Sequence, residues 1–271
     1  MKLKVFALVF FLILTSSAVY AQNKIVLQTE DKWKLEAIFQ PSEDGKYVIL
    51  LHDLGRKKED FSVFGKSLEK AGFGYLAVDL RGHGQSTNLN IQTNFKKTGE
   101  DNEFNQMSKD VDAAIGYLSK KGVYNENIFL LGAGLGANIA AKSLPMHPKI
   151  GGVILLTPSL KSRDVLTMAG IRTFKGPVFI GVSVEDRKQF MEASFIRNAA
   201  FLASGQGKVT FVTSYNLKGV EMLNKFLVDE VLQWLKTPQL PEVLPDNQSL
   251  YGADTQGIPR MDMQDVLKSL D

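Results

Sequence analysis

The chain has 271 residues, 44% of them hydrophobic, and a formal charge of +3. That length and apolar share suffice for the core of one large α/β domain, and so small a charge offers little to nucleic acid or an anionic membrane. Cysteine is absent, which excludes disulfides and a lipidated N-terminal cysteine and leaves stability to the core.

The chain begins MKLK, runs apolar from Val5 to Leu14, and continues Thr15-Ser-Ser-Ala-Val-Tyr-Ala21. A basic start, a short apolar stretch and small residues before Ala21 predict a secretory signal peptide over 1–21. The apolar run falls well short of the ~20 residues of a spanning helix. No membrane span is therefore expected after the signal is removed. Loss of Lys2 and Lys4 leaves a net charge of +1. The expected destination is the periplasm or beyond.

Lys24 to Thr29 and Lys34 to Phe39 alternate apolar with polar residues and predict an opening antiparallel pair. Tyr47 to Leu51 is a continuous apolar run, as in a strand buried on both faces, and it leads into His52-Asp-Leu-Gly55. Phe61, Phe64, Leu68 and Ala71 recur at helical spacing and predict a helix over 59–71. Tyr75 to Val78 is the next buried strand, followed by Asp79-Leu-Arg-Gly-His-Gly-Gln-Ser86. A polar loop from Thr87 to Glu100 precedes a helix whose apolar face is Phe104, Met107, Val111, Ile115 and Leu118.

Ile128 to Lys142 reads IFLLGAGLGANIAAK: a strand, a tight turn with glycines at 132, 134 and 136, and a helix. Further strands are expected over 153–156, 178–182 and 209–212, with a helix around 188–203. A last helix carries Val220, Leu223, Leu227, Val231 and Trp234 on one face. Strands alternating with helices imply a mostly parallel sheet with helices on both faces. Prolines at 238, 241 and 245 then mark an extended or partly disordered tail over 237–271, leaving one domain over 22–236.

Four phrases in order resemble the α/β-hydrolase fold family, in particular its esterase and dienelactone-hydrolase-like members. Leu50-Leu-His-Asp-Leu-Gly55 resembles the loop after the third strand. Asp79 to Ser86 is similar to the Asp-x-Arg-Gly-His-Gly-x-Ser segment. Leu131-Gly-Ala-Gly-Leu-Gly-Ala-Asn138 resembles the nucleophile elbow Gly-x-Ser-x-Gly, and Leu156-Thr-Pro-Ser159 the phrase after the following strand. The resemblance covers about residues 25 to 236 and implies an α/β-hydrolase fold.

It also implies a hydroxyl nucleophile, an imidazole base and an orienting carboxylate. Asp186, after the strand over 178–182, stands at the acid position. The nucleophile position holds Gly134, and the histidine position after the last strand holds Lys218. No histidine follows His147. An ion pair between Lys218 and Asp186 is expected, and the sequence reads as an inactive hydrolase homologue. The oxyanion amides, implied to be those of Leu54 and Leu135, would remain. With His52 and Lys218 nearby, they predict a site for a carboxylate or acyl ligand; a protein partner is the other option.

Two further classes stay open. An active carboxylic-ester hydrolase would need a stand-in nucleophile such as Ser159 or Ser183, each read more simply as a turn residue. Gly132-x-Gly134-x-x-Ala137 also fits a dinucleotide fingerprint, although no acidic residue ends the next strand, at Thr157-Pro158. His52 and His83 read as loop-structuring hydrogen-bonders. Three scattered histidines without cysteine form no metal-binding spacing, so neither metal nor cofactor is expected.

Overall fold

The computed structural model describes residues 23–238. The signal segment expected over 1–21 and, beyond residue 238, the expected tail lie outside the described residues. An eight-stranded sheet runs in the order β1-β2-β4-β3-β5-β6-β9-β10. Its strands are β1 (Asn23–Gln28), β2 (Lys34–Gln40), β3 (Tyr47–Leu51), β4 (Gly74–Val78), β5 (Ile128–Ala133), β6 (Gly152–Leu156), β9 (Val178–Ser183) and β10 (Val209–Ser214). β1 and β2 are antiparallel, as is β2 with β4. From β4 through β3 to β10 every pairing is parallel.

The apolar runs explain the layering. Successive side chains of a strand point to opposite faces, so a strand apolar at every position must be covered on both. In β3, Ile49 and Leu51 join one core while Val48 and Leu50 join the other. α2 (Ser108–Lys120), α3 (Leu135–Ser143), α4 (Met168–Thr173) and α5 (Arg187–Ser204) contribute to the first core. α1 (Ser62–Lys70) and the closing helix cover the second with Phe64, Leu68, Leu227, Val231 and Trp234. That closing helix is interrupted: α6 (Gly219–Met222) passes through a π turn (Leu223–Leu227) into α7 (Val228–Lys236).

All eight expected strands and the expected helices are present, shifted by a few residues at their ends. The helix expected over 59–71 begins as a 3-10 turn (Lys58–Phe61) before α1. Two features were not anticipated. A hairpin pairs β7 (Lys161–Ser162) with β8 (Val165–Leu166), and α4 follows it. Among the described residues no helix is long and apolar enough to cross a membrane.

Candidate active site

Parallel sheets of this kind place their sites at the carboxyl ends of the strands. Here β3 delivers His52, Asp53 and Leu54; β5 delivers Gly134; β6 delivers Thr157 and Ser159; β9 leads to Asp186 and β10 to Lys218. The ends of β3, β5, β6 and β10 open on a cavity of about 430 Å³, whose wall includes Asp53, Gly134, Leu135, Ser159, Gln189 and Lys218.

The elbow is built from glycines. Gly134 has φ +53° and ψ −118°, a conformation that side chains adopt only under strain. Its amide donates to Leu156 O at 2.9 Å, and Ala137 N donates back to Gly134 O at 3.0 Å. Gly136 lies against the end of β3, where a Cβ would meet His52 O at 2.6 Å. The close approach fixes α3 beneath the loop that follows β3.

Asp53 is the central residue, and the sequence reading missed it. Its Oδ1 accepts from the Leu54 amide at 2.7 Å and from the Leu135 amide at 2.7 Å. These are the two amides expected to receive a ligand oxyanion. The expectation of an open anion site at Leu54 and Leu135 is therefore corrected: the chain's own carboxylate fills it. A helix N-terminus with free amides attracts an anion, and the adjacent loop supplies one. The same carboxylate lies over Gly134, so that a Cβ added there would overlap it.

Lys218 Nζ and Asp186 Oδ2 form the expected ion pair, at 2.8 Å. The Lys218 ammonium, with help from the Gln189 amide, holds the Asp186 carboxyl below its ordinary range. Asp186 also caps α5 by accepting from Gln189 N at 3.1 Å. Lys218 lines the cavity, but its side chain is about half exposed at 48%, so the pair is screened by water and contributes little stability. Behind it, Gly219 N donates to Thr157 Oγ1 at 2.7 Å.

His52 does not reach the cavity, which corrects its assignment as a ligand-binding residue. It is fully buried, Nε2 accepts from the Leu80 amide at 3.0 Å, and Nδ1 faces Asp53 O at 2.8 Å. An acceptor role for Nε2 places the proton on Nδ1. His83 is likewise buried, with Nδ1 2.9 Å from Arg81 O, and the two rings lie 5.0 Å apart. Both histidines order loops, as expected.

Burial pushes the His52 pKa down to about 4, and burial lowers His83 as well. In the unfolded chain a histidine titrates near ~6.5. The stability owed to neutral His52 is thus complete above that value and is lost as pH falls toward about 4. Between pH 7 and 5 this loss should be on the order of 2 kcal/mol. Urea unfolding at the two pH values should show it, and His52→Gln should flatten the dependence.

The stand-in nucleophiles fare unequally. Ser183 is buried and its hydroxyl donates to Tyr215 O at 2.5 Å. Ser159 lines the cavity, with its Oγ 3.4 Å from Asn138 Oδ1, and no histidine is among the cavity-lining residues. The dinucleotide reading also loses support, since Asp53 holds the α3 amide that a phosphate would need.

Sheet order, elbow and strand-end cavity together define an α/β hydrolase fold. The model of the family described as Serine aminopeptidase, S33 matches residues 42–213, and the chain belongs to that family. Among solved structures it is similar to the esterase Pf2001 of Pyrococcus furiosus, with a TM-score of 0.66, 18% identity and coverage of 80% of this chain and 92% of that one. It is also similar to the esterase EaEST of Exiguobacterium antarcticum, with a TM-score of 0.61, 16% identity and coverage of 78% and 99%. At such identities the likeness is one of fold. A curated relative is protein phosphatase methylesterase 1 of Schizosaccharomyces pombe, 31% identical over 106 residues. That match spans 37% of this chain and 28% of the relative's length.

Proposed function

We propose that this chain is an exported, catalytically inactive α/β hydrolase that uses its strand-end cavity to bind a small molecule. The observation that carries the reading is the Asp53 carboxylate, held by both oxyanion amides at 2.7 Å. Acyl transfer needs those donors free for the charge that develops on the carbonyl oxygen. A carboxylate oxygen already seated there excludes a substrate carbonyl and repels an oxyanion. Gly134 supplies no hydroxyl, and Lys218, paired with Asp186, supplies no imidazole. Three substitutions on three different loops thus act against one reaction. The export part of the reading rests on the segment 1–21 alone.

The test is turnover of short-chain activated esters by the wild type and two variants. Gly134→Ser with Lys218→His restores the nucleophile and the base, but the new Cβ collides with the Asp53 carboxylate, whose negative charge stays beside the elbow and repels a developing oxyanion, so this variant should stay near the buffer rate. Adding Asp53→Gly frees the amides and should raise the rate by at least about a hundredfold, the scale on which oxyanion donors act. Wild-type turnover well above buffer would overturn the reading and direct attention to Ser159.

A further inference from the structure

The Asp53 carboxylate does more than block the amides: it reverses the polarity of the site. Its Oδ1 is saturated by two backbone donors. Its Oδ2 meets no donor among the described residues, and the residue is exposed in the cavity wall. The other charges lining the cavity are matched within the protein. Arg56 pairs with Asp60 at 2.6 Å, Lys218 with Asp186 at 2.8 Å and Glu221 with Lys225 at 2.6 Å. Among the described residues Asp53 has no such counter-ion. Around it the wall offers the hydroxyls of Thr157, Ser159 and Ser162 and the amide of Gln189, groups that hydrogen-bond a neutral polar body without adding charge.

From this we infer that the cavity accepts a small organic ammonium ion whose N–H donates to Asp53 Oδ2, and that it rejects carboxylates. The geometry is favourable because the carboxylate is already oriented. Two amides and the N-terminal end of α3 fix one oxygen, so the cation orders no side chain on arrival. A charge-assisted hydrogen bond is about twice as strong as a neutral one. An entering carboxylate meets the fixed charge at the position a substrate oxyanion would take. A site that in an esterase favours negative charge here favours positive charge.

The inference rests on the proposed binding role, and the two can fail separately, since ester turnover does not enter the following experiment. Butylammonium chloride and sodium butyrate, cations and anions of matched size, are titrated calorimetrically into the full chain at equal ionic strength. The proteins are wild type, Asp53→Asn and Asp53→Gly, each checked for fold by circular dichroism. Butylammonium should bind the wild type at millimolar concentration and bind both variants at least about tenfold more weakly. Butyrate should not bind the wild type. Added salt should weaken the wild-type interaction, a readout that needs no variant. Butyrate binding as tight as butylammonium, equal butylammonium affinity in the variants, or no butylammonium binding to the wild type would each overturn the inference.

Discussion

Asp79→Ala is expected to lower the unfolding free energy by about 3–5 kcal/mol, the range for removing one partner of a buried ion pair. The Asp79 side chain is fully buried, and that of Lys58 is 1% exposed. Asp79 Oδ2 accepts from Lys58 Nζ at 2.6 Å and from Gln85 N at 2.9 Å, while Oδ1 accepts from Lys58 N at 2.8 Å. Burial acts to lower the Lys58 pKa, but the Asp79 carboxylate outweighs it and the net direction is upward. Without Asp79, the ammonium keeps, among the described residues, Glu59 at 3.2 Å and Glu36 at 3.5 Å, both partly exposed. The pair also ties the loop carrying Asp53 to the end of β4, and Gly84 turns so close that a Cβ would overlap the carboxylate. Urea unfolding should show a lower midpoint with an unchanged slope. A loss below about 1 kcal/mol would mean that Glu36 and Glu59 suffice to compensate Lys58.

The sheet was legible because its signal is local. Each central strand is an unbroken run of apolar residues, and α1, α2 and the closing helix repeat their apolar side chains at helical spacing. The β7–β8 hairpin was not, because two-residue strands carry no period. Its turn has Arg163 and Asp164 at φ +52° and +62°, and it is held by distant groups: Asn102 Nδ2 donates to Arg163 O at 2.9 Å, and Asn138 Nδ2 to Val165 O at 3.0 Å. Such contacts have no trace in the hairpin's own sequence.

The site divides along the same line. Gly134, Asp186 and Lys218 could be placed because each follows a recognisable strand. Asp53 could be placed just as well, but its role depends on where its side chain turns. It bonds the amide of its own neighbour and that of Leu135, 82 residues further on. A signal was present in the pairing of two anomalies. A carboxylate follows His52 where the fold wants an empty oxyanion site, and the elbow residue lacks the side chain that would exclude it. Read together, they describe one hole and the group that fills it.

That complementarity can be measured as a coupling energy. In the Asp53→Gly background, Gly134→Ser should cost about 1–3 kcal/mol of stability, the usual scale for a side chain forced into a strained backbone conformation. In the wild-type background the new Cβ also collides with the Asp53 carboxylate. The carboxylate must then leave both amides and give up two charge-assisted hydrogen bonds. The cost should rise to about 3–5 kcal/mol, so a double-mutant cycle should return a coupling of about 2 kcal/mol. Chemical denaturation of the four proteins at neutral pH yields the value. A coupling near zero would mean that the carboxylate moves aside without loss, in which case its grip on the oxyanion amides is too weak to keep a substrate out. A large coupling would mean that the elbow glycine and the aspartate are a matched pair, so that a serine could return to the elbow only after the aspartate had gone.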